Sequence, residues 1–218
     1  MAGIADRRRK AAPQVVDLGS RSEETRLLIL EGALRMFSRV GFESASTRTI
    51  AAEAGVHHAS LRYHFDDKET LWRAAITLMF ERQRAEFREE QEQDPIDSSS
   101  LEGMKQLVRR WVRYCARHPE HAQVLVHEAI ADTPRLAWAI DQFVKANSER
   151  FGAPLRTQAL AGSLRIADPV LASIILSSAA QMTFVLSAHL RQVFGEDVRQ
   201  PEFVDRLTAA LITMLFTR

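Results

Sequence analysis

A single glycine, Gly55, divides the stretch TRTIAAEAGVHHASLRYHF (residues 47–65) into two segments that are each patterned as a short helix. Thr47 is placed to cap the first, 48–54, in which Ile50, Ala51 and Ala54 form an apolar side. Gly55 supplies a turn that residues with a Cβ resist. Val56 then points inward, and a second helix over 57–64 buries Leu61, with Phe65 just beyond, while presenting His57, His58, Ser60, Arg62, Tyr63 and His64. Two short helices angled across a glycine turn, the second polar on its outer side, read as a helix-turn-helix whose second member fits a major groove of DNA.

The rest of the chain also reads as helix, and the expected fold class is all-α. Glycine and proline are sparse (9 and 7 residues), and no sustained apolar–polar alternation argues for strands. A first helix from about Ser22 has Leu27, Leu30, Leu34 and Phe37 on one face, Ser20 with Glu23 as a capping box, and Gly41 as a left-handed stop. A long helix follows from Lys68 to about Gln91, with Asp66 and Glu69 as its capping pair, and DPIDSSS (94–100) is the clearest connector. Five more helices are expected, at about 100–117, 119–131, 134–160, 169–194 and 201–217. Pro119, Pro134 and Pro169 stand at helix starts, and Pro154 is expected to kink or split the third.

Composition narrows the function classes. A net charge of +1 announces no global basic field, so any nucleic-acid role rests on local charge. Residues 1–65 carry ten Lys and Arg against seven Asp and Glu, a balance of +3; the remainder carries 19 against 21, or −2. The lone Cys115 excludes an intramolecular disulfide and a cysteine-based zinc site. A basic start (Arg7, Arg8, Arg9, Lys10) without an apolar run after it is no secretory signal, so a cytoplasmic chain is expected. Residues 169–190 lack Asp, Glu, Lys and Arg, but their serines, Gln181, Thr183 and His189 favour a buried helix over a membrane span.

Around the glycine turn the chain resembles the TetR family of transcriptional regulators. The resemblance rests on Thr25, Ile29, Leu30, Ala33 and Phe37, then Gly41 and Phe42, then the opening stretch with Asp67, Lys68, Glu69 and Leu71, and it covers about residues 22–72. The first residues, with Pro13, Gly19 and the basic cluster, read as a mobile basic tail over 1–21, and the resemblance implies a DNA-binding domain over 22–67 and a helical ligand-binding and dimerisation domain over 68–218. It also implies a homodimer on near-palindromic double-stranded operator DNA, expected to be a repressor that an unidentified small-molecule effector releases. Carried over by position, Arg48 is a groove contact, a guanidinium suited to guanine's two acceptors, unless it sits in a surface salt bridge. Thr47 is a phosphate contact, His64 and Lys68 lie near phosphates, and Ser60, Arg62 and Tyr63 lie on the recognition helix. Arg62 stands where the family often has an aromatic residue, which leaves its target either base or phosphate. Tyr63 is alternatively a packing residue. His57 and His58 replace the usual small polar and basic pair, so the operator sequence is not legible, and the tail either enters a minor groove or stays solvated.

Residues 22–66 are too few for a secure core, so they are expected to lean on the helix from Lys68, whose Leu71, Ala75, Leu78 and Met79 face both domains and make it the transmission element. The dimer is expected to use Ile174, Ile175, Val185 and Leu186 against Phe203, Leu207, Leu211, Met214 and Leu215. Met79, Trp111, Tyr114, His118, His127, Trp138, Phe143 and Met182 form a mixed aromatic and polar set from which a ligand pocket is built. His118 and His121 share a helix face near Glu128, but imidazole pairs are common and no metal site is assigned. No cofactor is called for, and no nucleophile–base pair, phosphate loop or carboxylate pair suggests an enzyme. The competing class is a helical ligand-binding or interaction protein without DNA readout.

Overall fold

The computed structural model describes residues 18–217, and over these the chain is helical apart from turns and one isolated bridge, Leu164 to Phe216. The helices are α1 (Leu18–Ser44), α2 (Thr47–Glu53), α3 (His58–His64), α4 (Lys68–Gln93), α5 (Leu101–Arg117), α6 (Pro119–Ala131), α7 (Pro134–Ala139), α8 (Lys145–Leu160), α9 (Pro169–Val185), α10 (Ser187–Phe194) and α11 (Pro201–Leu215). The basic tail falls outside the described residues up to 17. Residues 18–21 are already helical, so Ser20 lies within α1 instead of capping it.

Helix ends follow local chemistry, sometimes one residue from where the sequence pattern put them. Ser46, not Thr47, caps α2: its Oγ accepts from the Thr49 N–H at 3.1 Å while its own N–H donates to Thr49 Oγ1 at 3.0 Å. Asp67, not Asp66, caps α4, accepting from the Thr70 N–H at 2.6 Å. Gly41 has a positive φ of 75° but an extended ψ of 171°, a conformation nearly confined to glycine. The expected helix over 134–160 is interrupted, but not at Pro154, which sits inside α8. The break is a π-helical turn, Ile140–Val144, between α7 and α8. The expected helix over 169–194 bends by 76° after Val185, and no single described helix is long and apolar enough to cross a membrane.

Two apolar cores hold the chain. The first joins Ile29, Ala33 and Phe37 of α1, Ile50 and Ala51 of α2, Leu61 and Phe65 at α3, and Leu71, Trp72, Ala75, Ile76, Met79 and Phe80 of α4 to Val124, Ala139 and Phe143 from the second body. α4 thus presents the expected face, with Leu71, Ala75 and Met79 buried and Leu78 partly so. Leu27, by contrast, is exposed on α1. The second core packs α5, α8, α9 and α11, and Leu211 and Leu215 lie within it at 4% and 0% exposure. These two residues, expected at a dimer interface, share the inward stripe with Val204 and Thr208, so a partner cannot reach them. Cys115 is buried in the same core, where burial pushes its thiol well above the usual range.

α1 crosses the end of α2 at a point where no side chain fits between them. A Cβ on Gly32 would stand 2.8 Å from Ala54 Cβ and 2.9 Å from Ala54 N. Gly32→Ala therefore forces backbone apart, at about 1–3 kcal/mol, more than the roughly 1 kcal/mol alanine gains in helix propensity. A lower urea midpoint with an unchanged slope is expected; an unchanged or higher midpoint would show that the crossing can relax.

Candidate nucleic-acid interface and inner cavity

The glycine turn ends α2 with two nested bonds. The Gly55 N–H donates to Ala52 O at 3.1 Å and the Val56 N–H to Ala51 O at 3.0 Å, with Gly55 at φ 69°, a conformation that glycine reaches without strain. α2 is clamped to α1 at this end, because Arg35 and Arg39 take the two carboxylate oxygens of Glu53 at 2.9 and 3.1 Å, and Arg35 also donates to Glu53 O at 3.2 Å. α3 is anchored by buried Leu61 and, just past its end, Phe65.

The outer surface of these helices holds most of the residues expected there. Arg48, His57, Arg62 and Tyr63 are exposed, Tyr63 at 83%, and Ser60 and His64 are half-buried beside them. Arg48 and Arg62 enter no ion pair among the described residues, unlike Arg35, Arg39 and Arg73 nearby. Thr47 and His58 share a hydrogen bond of 3.0 Å between Oγ1 and Nε2, which ties the two helices. An open groove also runs between Ser60, Tyr63 and His64 and the residues Arg21, Ser22 and Thr25 of α1. Arg21 and Ser22 were not legible as part of this face, because they are distant in sequence from the motif.

Lys68 has another role than a phosphate contact. Its ammonium donates to Phe42 O at 2.9 Å and Ala45 O at 3.0 Å and lies 4.2 Å from the Phe42 ring, so two of its three N–H bonds brace the turn between α1 and α2. Arg135, at the start of α7, sits 3.6 Å from the same ring and pairs with Glu128 at 3.0 Å, Glu43 at 3.3 Å and Glu69 at 3.6 Å. His127 of α6 bonds Ser38 O at 3.2 Å and stands 3.2 Å from where a Cβ on Gly41 would lie. The DNA-reading end is thus joined to the second body by packed cations and by an apposition that only glycine permits.

The main cavity, ≈ 580 Å³, opens between α4, α6, α8 and α9 and is walled by Phe80, Gln83, Trp111, His121, Asn147, Phe151 and one flank of α9. Of the eight residues expected to line a pocket, only Trp111 does. Met79 and Phe143 belong to the first core, Trp138 packs edge-on against Trp72 at 5.8 Å, and His127 sits on α1 as above. Tyr114 and His118 border a crevice of ≈ 10 Å³, and Met182 lies off the wall. His118 bonds Glu86 at 3.0 Å and Glu120 at 3.2 Å, whereas Glu128 pairs with Arg135, so the three groups weighed for a metal are held apart. A second chamber of ≈ 320 Å³ lies under the far half of α4 and shares Gln83, Asn147 and Phe151 with the first. Gln83 Oε1 accepts from Asn147 Nδ2 at 2.7 Å between them.

A short polar helix held on a glycine turn, with Arg62 on it and Arg48 beside it in no ion pair among the described residues, defines a helix-turn-helix DNA-binding protein. Residues 29–75 match the family model described as "Bacterial regulatory proteins, tetR family", and residues 101–215 match "Tetracyclin repressor-like, C-terminal domain". The chain belongs to the TetR family of DNA-binding transcriptional regulators. It is similar to the HTH-type transcriptional regulator RutR of Escherichia coli (strain K12), at 24% identity over 82% of each chain. It is also similar to UidR of the same strain, at 37% identity over 34% of this chain and 37% of that one. Its fold resembles HlyIIR, a hemolysin II transcriptional regulator, with a TM-score of 0.67 and 19% identity, covering 90% of this chain and 99% of that one.

Two histidines at the small crevice are shifted in opposite directions. His121 shares a 3.0 Å hydrogen bond with Tyr114 Oη and faces the Phe80 ring edge-on at 4.5 Å, and burial pushes its pKa down to about 4. The bond to Glu120 raises His118, against its partial burial. In the unfolded chain both titrate near ~6.5. His121 therefore lowers stability as pH falls from about 6.5 toward 4, because the unfolded state takes up the proton first. His118 does the reverse, adding stability at low pH that is lost as pH rises through its folded value. Urea titrations from pH 7 to 4.5 are expected to show His121→Gln losing less stability than the parent, by about 2–3 kcal/mol. Parallel curves would place His121 in a solvated site.

Proposed function

We propose that the protein is a ligand-responsive homodimer that represses transcription from a near-palindromic operator in the cytoplasm, by binding and without a catalytic step. The observation that carries this reading is Phe80, which is both part of the core under the DNA-reading helices and part of the cavity wall. A ligand in the cavity presses on a side chain that the reading end also rests on. Couplings of about 1–3 kcal/mol between linked sites are typical, enough to change operator occupancy several-fold or more. The repressor-like model matched by the C-terminal half supports the sign of regulation.

The dimer reading is supported by an apolar seam on α9. Leu171, Ile174, Met182 and Val185 recur at helical spacing opposite the buried stripe Ala172, Leu176, Ala180 and Phe184, and Ile174 is 54% exposed. Beside it α11 exposes the small Ala209, Ala210 and Thr213, which let a second helix pair approach closely, together with the apolar Met214. Ile175, Phe203 and Leu207 are half-buried and Leu186 is exposed at the bend, so of the expected set these four with Ile174, Val185 and Met214 remain available. Pairing there has to hold the two copies of α3 about 34–36 Å apart, or a small multiple, to meet successive major grooves.

Arg48, Arg62 and Tyr63 are assigned to base edges, and Thr47, Ser60, His57, His58 and His64 to the flanking backbone. Selecting bound genomic fragments at physiological salt yields the operator for measurement. On it, affinity is expected to fall steeply with salt, and Arg48→Ala to cost about 1–3 kcal/mol at one base pair per half-site. Uniform weakening on every sequence would make Arg48 a phosphate contact, and no binding by a folded dimer would leave a ligand-binding protein without DNA readout. Separately, Ile174→Glu is expected to give a folded monomer by light scattering, with operator affinity lost; a dimer retained in that variant would move the interface elsewhere.

A further inference from the structure

We infer that the effector is an amphipathic anion, with an apolar body in the larger chamber and an anionic head at Arg84, Arg88 and Arg150; this rests on the ligand-responsive reading above. The two chambers share Gln83, Asn147 and Phe151 as a common wall, so an elongated molecule that parts the single Gln83–Asn147 hydrogen bond reaches from one into the other. Their volumes, ≈ 580 and ≈ 320 Å³, each suit small-molecule fragments.

The charges in the chambers differ. In the larger one the only charged side chains are Glu149 and Arg156, which pair with each other, and His121 is neutral above pH of about 4. That chamber favours an uncharged body against Phe80, Trp111 and Leu155. The smaller one is lined by four arginines and a single carboxylate, Glu92. Arg110 is already neutralised by Asp94 and Glu90 and held by Gln91. Arg84, Arg88 and Arg150 enter no ion pair among the described residues, although most arginines on the neighbouring helices do. Three guanidiniums without an ion pair thus line one chamber, Arg84 also lying 5.7 Å from the Phe143 ring, and a planar guanidinium suits a carboxylate or a phosphate equally. All three are exposed, so the head stays at the rim while the body enters.

The test compares decanoate, decyl phosphate, 1-decanol and decylamine, each below its micelle concentration, on the full-length protein. Direct binding is followed by tryptophan fluorescence, since Trp111 lines the chamber, and operator release by fluorescence anisotropy. The anionic probes are expected to bind at least roughly tenfold more tightly than the alcohol, with the amine weakest. Arg88→Gln/Arg150→Gln, at two exposed positions, is expected to erase that preference while leaving 1-decanol affinity and the melting temperature unchanged. Decanoate above decyl phosphate assigns a carboxylate head, and the reverse a phosphate. Equal affinity for anion and alcohol, a preference that survives the double variant, or no binding by any probe overturns the inference. Arginine-dependent anion binding without operator release upholds the anion site and instead overturns the ligand-responsive reading.

Discussion

The helices that carry Arg48 and Arg62 rest on a core that they do not complete. α1, α2 and α3 bring Ile29, Phe37, Ile50 and Leu61, but the space between them is filled by Trp72, Ile76 and Phe80 of α4 and closed by Val124, Ala139 and Phe143 from beyond the connector. A unit of this size buries too little of its own surface to be secure, since chains below about 60 residues are marginal. The chemical boundary at residue 67 is therefore no boundary in packing. Around this shared core, Arg135 and Lys68 converge on Phe42, and His127 meets Gly41. The orientation of the reading helix is fixed by the second body as much as by its own turn.

α4 changes character along its length, and the cavities lie at the change. Its first three turns are held by Leu71, Trp72, Ala75, Ile76, Met79 and Phe80, contacts that resist sliding because interiors are close-packed. From Glu86 onward it is tied to α5 by charge: Arg117 holds Glu86 and Glu90, Arg110 holds Glu90 and Asp94, and His118 holds Glu86. The Arg117 and His118 pairs are partly solvated, and ion pairs of that kind are individually weak and re-form at shifted geometries, whereas Arg110 is buried and Phe87 packs on Trp111 and Tyr114. The half of α4 above the chambers is thus held in part by exchangeable charge, while the half in the first core is held by close packing. The π-turn at Ile140–Val144 contributes by seating Phe143 against Phe80 at 4.6 Å with the rings nearly parallel.

Legibility in the sequence followed the range of the interactions. The helix-turn-helix was readable because its determinants are local: the spacing of Leu61 and Phe65, the glycine at a positive φ, and the apolar side of α2. The cap positions slipped by one residue, because adjacent Ser46 and Thr47, or Asp66 and Asp67, are chemically interchangeable until the chain direction is known. The pocket was mostly illegible, since its wall joins α4 to α9 across about a hundred residues, and aromatic type does not say whether a ring such as Trp138 meets a cavity or Trp72. Lys68 shows the same limit: its partners are the backbone carbonyls of Phe42 and Ala45, which carry no side-chain signature. On α11 the apolar pattern was correct, but Leu211 and Leu215 fell on the inward stripe, a distinction set by where α5 and α9 lie.

α9 ties the ligand reading to the dimer reading. Its inner stripe packs in the second core, while Val170, Ile174 and Ser178 face outward and also line the mouth of the larger chamber. In the proposed dimer these residues serve the partner and the ligand together, so a molecule filling the chamber bears on the seam that sets the distance between the two reading helices. A second route runs through Phe80, which lines the chamber and belongs to the core that the helix-turn-helix shares. Both routes obey the same reciprocity: whatever factor a bound ligand takes from operator affinity, the operator takes from ligand affinity. The proposed dimer would need no large rearrangement, because major grooves accept both helices only near one helical repeat or a multiple of it, and a small displacement at α9 or α4 is enough to miss that spacing.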